Sequence, residues 1–271
     1  MNPTKTAVRP TRIECELVGG RARFSVLDQG TYLAPRPVHV ATRTGTGAHL
    51  RVALIGISMM LLGHDDVVLE VRVGPGVVLE IVEPAGLVAY DADGEPSQWT
   101  LRAVVGAGGA LLWDGAPFVA AAGSNVTRLT DVALAHGARV LLREILVLGR
   151  SGEEGGRLRS LVHVHDDSGE YLVEDLDLSG LSRRAVGVLG VSKVMASVTA
   201  AGWRPPDGID ASDPARAAAD ASVGIVLELA REGSIWRAMS SAAHDVEARL
   251  GAVHSSWRSD ALDRTLEDGR G

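Results

Sequence analysis

The sequence predicts a mainly β fold: a superhelical or stacked β-hairpin sandwich of many strands, with a small C-terminal helical part. Two observations predict it. Between residues 67 and 150, apolar and polar residues alternate in runs rich in β-branched side chains, as in residues 67–73, where Leu69, Val71 and Val73 share one face and Glu70 and Arg72 the other. The same stretch also holds one pattern three times, an apolar run entering a glycine turn and a second apolar run leaving it. The turns are Gly74-Pro75-Gly76, Gly106-Ala107-Gly108-Gly109 and Ala135-His136-Gly137. Aligned on Gly76, Gly109 and Gly137, the copies lie about 30 residues apart, a period that suggests stacked units burying one shared core. Each copy reads as strand, turn, strand, and a short glycine turn suits a hairpin.

Taken in order, residues 1–11 read as a flexible tail and residues 12–258 as a single β-rich domain with its core motifs in 50–180. Residues 12–18 and 22–27 flank Gly19-Gly20 as a first hairpin. Pro35 and Pro37 place residues 32–40 at a sheet edge or in a connection, because proline cannot donate to a ladder. The apolar run 49–62 ends at the turn Gly63-His64-Asp65-Asp66, which leads into the first copy. Beyond Arg150, strands are expected at 158–165 and 171–176 across a polar turn. The segment 182–200 reads as helix or strand, with a strand favoured at 193–199; 205–221 is loop or linker, and 223–230 a last strand. Apolar residues at 235, 239, 242, 243, 246 and 250, three or four apart in most steps, suggest a helix over about 235–250 capped by Ser234, followed by a flexible tail at 259–271.

Composition narrows the function. The chain has 271 residues with 27 basic and 34 acidic side chains, a net charge of −7, which disfavours a general nucleic-acid partner. The single Cys15 excludes an intramolecular disulfide and a multi-cysteine zinc site. The polar start does not read as a signal peptide, and no apolar run reaches the roughly 20 residues of a membrane span, so a cytoplasmic protein is expected.

Three constellations carry candidate chemistry. His163 and His165, two apart on a strand, offer both imidazoles on one face, with Glu170 following, a set also seen in cupin metal sites; that reading needs another histidine from a second half, which the sequence does not offer convincingly, and two histidines on a half-exposed strand are the simpler account. His64, Asp65 and Asp66 place an imidazole and two carboxylates in a turn, which an ordinary Asp-rich turn also explains. Glu144 alternates with Val140, Leu142, Leu146 and Leu148, so it shares an apolar face, where a carboxylate requires a partner or water; Arg150 has the same parity, suggesting a buried pair or an internal wet channel. No Gly-x-Ser-x-Gly, Walker A or His-Glu-x-x-His pattern occurs.

An ordered set of segments resembles the UreD (UreH) urease accessory family. It comprises Gly63-His64-Asp65, Val73-Gly74-Pro75-Gly76, Glu83-Pro84-Ala85, Gln98-Trp99, and Leu112-Trp113-x-Gly-x-Pro117-Phe118 with Ala122-Gly123. Leu134 to Ala138, Leu141 to Ile145, Leu148-Gly149-Arg150, Gly152-Glu153 and Glu174-x-Leu176-x-Leu178 continue it. Order and spacing hold over roughly residues 50–180, and Trp236-Arg237 and Trp257-Arg258 suit the family's C-terminal region. Two departures stand out: the family often has Gly-Gly-Asp where this chain has Gly63-His64-Asp65, and a Thr-Lys-x-Tyr-like end where it has Leu87 to Tyr90. The resemblance implies a non-enzymatic scaffold that joins UreF and UreG on apo-urease and assists nickel insertion, with neither nucleic acid nor membrane as partner. A dimeric hetero-complex is compatible with it. It implies no tightly bound cofactor, only transient Ni²⁺ along an internal passage. Asp65, Glu144, Arg150 and His64 are the candidates to line that passage, with Asp65 and Glu144 as transient ligands. The alternative is a cupin-like metal-dependent enzyme built on His163, His165 and Glu170.

Overall fold

A computed structural model describes residues 8–39, 48–185, 188–206 and 223–268. Its strands are β1 (Thr11–Val18), β2 (Arg21–Asp28), β3 (Leu33–Val38), β4 (His49–Gly56), β5 (Asp66–Val73), β6 (Val78–Val82), β7 (Leu87–Ala89) and β8 (Ser97–Val105). They continue as β9 (Ala110–Ala120), β10 (Asn125–Leu134), β11 (Arg139–Leu148), β12 (Arg157–Asp166), β13 (Gly169–Asp177), β14 (Val194–Ala201), β15 (Ile225–Glu228) and β16 (Gly233–Ser240). One α-helix follows, α1 (Ala243–Asp268). Among the described residues the chain is thus mainly β with one α-helix near the C-terminus, as expected. The strands form two sheets, ordered β13-β12-β10-β8-β5-β1-β2 and β15-β16-β14-β11-β9-β6-β4-β3, with β7 beside the end of β9.

The connection inside each repeat differs from a hairpin. β5 lies in the first sheet and β6 in the second, and the same holds for β8 and β9 and for β10 and β11. Each copy is therefore an arch, and like strands of successive copies pair in parallel: β5 with β8, β8 with β10, β6 with β9, β9 with β11. The physical reason is that both strands of a copy carry an apolar face. Val67, Leu69, Val71 and Val73 from β5, and Leu79 and Ile81 from β6, belong to one core, which folding the copy over buries between the sheets. Alternation and glycine turns are shared by hairpins and arches, so the sequence pattern alone does not separate them. The arch turns stack: Gly76 donates its N–H to Ala107 O at 2.9 Å, and Gly108 donates to His136 O at 3.0 Å. The left-handed glycines at equivalent positions are Gly76, Gly108 and Gly137, so the middle copy aligns on Gly108, not Gly109.

True hairpins lie outside the arches. β1–β2 and β12–β13 close the two ends of the first sheet, and the proline-bearing β3 is an edge strand paired only with β4. The favoured strand near 193–199 is β14, and the last strand near 223–230 is β15, again at an edge. The expected loop at 205–221 and tail at 1–11 lie largely outside the described residues.

The helix expected at about 235–250 is corrected. Residues 233–240 form β16, paired antiparallel to β14 and β15, and the helix starts at Ala243. Ser234 is therefore no helix cap; Ser240 Oγ accepts the Ala242 N–H at 3.2 Å and donates to Asp245. Both faces of β16 are covered, one by the sandwich interior and one by α1, so its apolar residues lack clean alternation and imitate a helical spacing. Residues 259–268, within the expected tail, are helical: α1 runs on to Asp268. Its Val246, Leu250, Val253, Trp257 and Ala261 bury a stripe against Leu141, Ile145, Val198 and Trp236, adding a third layer outside the second sheet.

Candidate functional site

The alternation of β10 turns Val126, Arg128, Thr130 and Val132 inward and leaves Asp131 outside. Arg128 thus enters the sandwich from the first sheet, while Glu144 enters from β11 of the second. Arg128 Nη1 donates to Glu144 Oε1 across the interior, with both side chains nearly buried. The guanidinium lies 4.6 Å from the centroid of the Trp99 ring and 5.6 Å from that of Phe118, so it is held by two aromatic faces as well as by the carboxylate. A bulge shapes the neighbourhood. β9 carries one extra residue opposite β11 near Gly115, where a Cβ would stand 2.5 Å from Arg143 O. Glu83 Oε2 accepts the Ala116 N–H at 2.9 Å beside this bulge. Burial pushes the Glu83 carboxyl up to about 7; the Glu144 charge adds to the rise, and the Ala116 N–H and Arg128 oppose it. Glu83, Trp99, Phe118, Arg128, Arg143 and Glu144 line a small cavity with ≈ 10 Å³ of space for the centre of a water molecule, about one water's worth.

On the other side of the second sheet, beneath α1, runs a further polar seam. Arg143 bonds Gly115 O at 2.6 Å and Asp114 Oδ1 at 3.2 Å. His254 is buried 4.0 Å from Asp114; burial holds its pKa down, and the Arg143 and Arg258 charges act the same way against Asp114. Arg258 grips the buried Glu80 through two bonds of 2.6 and 2.9 Å, with His49 and Arg51 nearby at 3.4 and 3.5 Å. Burial would raise the Glu80 pKa, but bonds to His49 and Arg258 and the arginine charges outweigh it and hold Glu80 at about 2.

A third group stands on the outer face of the first sheet. Asp131 lies opposite His163 in the parallel register, and His165 follows on the same face of β12. His163 Nδ1 is 2.9 Å from Asp131 Oδ1, His163 Nε2 meets Glu170 Oε2, and the two imidazoles stack at 4.3 Å. The cupin-like alternative loses its frame here: the imidazoles face outward from an open sheet of a two-sheet stack, not into a barrel.

The family model described as UreD urease accessory protein matches residues 12–270. The chain belongs to the UreD family. Urease accessory protein UreD 1 of Streptomyces griseus is 44% identical over 253 residues, covering 93% of this chain and 92% of that protein. Urease accessory protein UreD of Frankia casuarinae is 35% identical, covering 73% and 69%, and that of Streptomyces coelicolor 36% identical, covering 52% and 56%. No helix among the described residues is long and apolar enough to cross a membrane.

Of the residues that the UreD resemblance singled out, Glu144 lines the cavity, and Asp65, His64 and Arg150 do not. Asp65 braces its own turn, accepting from Tyr32 Oη at 2.7 Å and from the Leu62 N–H at 3.0 Å. His64 sits at φ +66 with Nε2 3.3 Å from Glu95. Arg150 does not pair with Glu144. β11 ends at Leu148 and Gly149, at φ +88, turns the chain outward, so strand parity stops there and Arg150 pairs with Glu153 at 2.6 Å. The UreD-like Glu83-Pro84-Ala85 and Trp113-x-Gly-x-Pro117 motifs meet at the bulge, where Glu83 satisfies a backbone donor. Sequence reading missed Arg128, although its parity with Val126 and Val132 carried the same signal that marked Glu144. It also missed Asp131, whose partners appear only through the parallel register.

Proposed function

We propose that this chain is a non-catalytic, cytoplasmic scaffold in urease maturation, binding apo-urease together with UreF and UreG and assisting nickel insertion. The observation that carries the reading is the 44% identity to a urease accessory protein across nearly the whole of both chains. The geometry supports a refinement. A charged cavity between two sheets, with Glu83 and Glu144 facing Arg128, offers oxygen ligands too few to trap an ion and suited to passing one on. Glu144 and Glu83 are the residues assigned to that passage, and Asp65 braces the turn before the first arch.

The test is co-expression with UreF, UreG and the urease subunits, followed by affinity purification on this chain. Co-purification with urease is expected; no association in any combination overturns the scaffold. Within that complex, Glu144→Gln should assemble normally yet leave urease with less nickel. Normal assembly with full nickel removes Glu144 from the passage, and failure to assemble assigns it a structural role only.

A further inference from the structure

We propose that Asp131, His163 and His165 form a binding site for a first-row divalent transition ion of the Ni²⁺, Zn²⁺ or Cu²⁺ class on the outer face of the first sheet, with Glu170 as its supporting carboxylate. Three strands build the site. The β10–β12 register sets Asp131 beside His163, the two-residue period of β12 adds His165, and the β12–β13 hairpin brings Glu170 over the imidazoles. The inner faces of the same strands, through Val132, Val162 and Val164, lie in the main core, so the ligands stand on a fixed backbone.

Two of the three ligand separations are close to the edge of a coordination polyhedron, and the imidazoles, stacked with planes 15° apart, turn about their Cβ–Cγ bonds to aim both nitrogens at one ion. The three ligand atoms lie within 4.8 Å of one another. Asp131 Oδ1 is 2.9 Å from His163 Nδ1 and 3.6 Å from His165 Nε2. With metal–ligand bonds of about 2.0–2.1 Å, the edge of a tetrahedron is about 3.3 Å, midway between them. The shorter contact is within hydrogen-bond distance, and the longer one, an ion-pair distance, brings His165 to the same carboxylate oxygen.

The second nitrogen of His163 supplies an independent argument. A neutral imidazole has one N–H, yet His163 has a carboxylate at each ring nitrogen. With a cation between Nδ1 and Asp131, Nε2–H donates to Glu170 and the ring stays neutral, the carboxylate–histidine–metal arrangement that fixes a ligand's tautomer. Two imidazoles and one carboxylate favour borderline ions over Mg²⁺ or Ca²⁺. Each of the three ligands is about one-third exposed, so an ion enters directly from solvent and keeps a fourth position for water. Arg128 and Asp131 lie on opposite faces of β10, so this site is separate from the interior cavity.

The inference does not depend on a role in urease maturation, because its readout is ion binding by the isolated full chain. NiCl₂ and ZnSO₄ are titrated by calorimetry into the wild type, His165→Gln, and His163→Ala with His165→Ala, with circular dichroism confirming the fold. The wild type is expected to bind one equivalent more than the double variant, and Asp131→Asn to weaken that equivalent tenfold or more. Glu170→Gln should weaken it by about 10–100-fold without abolishing it. His165→Gln leaves the clamp between Asp131 and Glu170 intact, so it should lose the ion while keeping the ion-free melting temperature. Equal stoichiometry and affinity in the wild type and the double variant, or no binding by the wild type, overturns the site and leaves a surface ion cluster.

Discussion

Arg128 and Glu144 are held between two sheets where neither can reach bulk water freely, so removing one strands the other. Arg128→Met should cost about 3–5 kcal/mol in urea unfolding, most of it from leaving Glu144 buried without its partner. The double variant Arg128→Met with Glu144→Leu should recover a large part of that loss; equal losses would mean that packing against Trp99 and Phe118, and not charge, sets the cost. Glu83 makes a separate prediction. Its carboxyl titrates near 7 in the folded chain against about 4.3 when unfolded. Between these values the folded state holds a proton that the unfolded state has lost, so stability falls as pH rises through this window and levels off above it. The wild type should therefore lose up to about 3 kcal/mol from pH 4.5 to 7.5 that Glu83→Gln does not lose, read as the difference in urea midpoints. At this scale the sequence is informative wherever a charge breaks an apolar parity. Glu144 shows itself beside Val140 and Leu142, and Arg128 carries the same mark beside Val126. Their pairing is invisible, because it joins strands of opposite sheets 16 residues apart. Asp131 is harder still: it sits on the ordinary polar face, and only a parallel register places it at His163.

At the scale of elements, α1 is fastened to the second sheet by an apolar stripe and by one buried clasp. Glu80 is 2% exposed, and its carboxylate is held at about 2 in the folded chain by His49, Arg258 and Arg51 despite burial. A depressed carboxylate contributes stability that is present above its unfolded value near 4.3 and is lost as pH falls toward 2. Hydrogen exchange should therefore show α1 and β6 losing protection progressively as pH falls from about 4.5 to 2. Arg258→Ala should produce the same loosening at pH 7, at a cost of about 3 kcal/mol, since Glu80 then keeps only its more distant partners. Unchanged protection of α1 in that variant would leave the stripe from Val246 to Ala261 as its whole attachment. The helix also shows where sequence reading runs out. Its true stripe follows 246, 250, 253, 257 and 261, a helical spacing legible in the sequence, yet residues 235 and 239 imitate its continuation. A strand covered on both faces has no polar parity to announce it, and β14, buried along its whole length, was ambiguous for the same reason.

For the whole molecule, strands, turns and the period near 30 are legible from composition and alternation, whereas the choice between hairpin and arch depends on which strands meet, a long-range fact. That choice changes what the glycines are for. In a hairpin, a turn glycine serves its own bend, and the left-handed Gly108, at φ +62, would be the most sensitive residue of its loop. In a stack of arches, the limiting quantity is the distance between one turn and the next. Gly106 has no left-handed requirement, but a Cβ there would stand 2.7 Å from the backbone nitrogen of Pro75 and 3.0 Å from the carbonyl carbon of Gly74, both in the preceding turn. A Cβ on Gly108 would meet nothing within 4 Å. Gly108→Ala should thus cost only the left-handed penalty, about 1–2 kcal/mol. Gly106→Ala has to push two turns apart, and its strain spreads into the parallel pairs β5–β8 and β6–β9 that the turns hold in register. The expected order in urea unfolding is therefore Gly106→Ala below Gly108→Ala below wild type, with the Gly106 variant alone losing exchange protection in the neighbouring copy. The reverse order would mean that each turn stands by itself and that stacking of the arches is not what fixes their spacing.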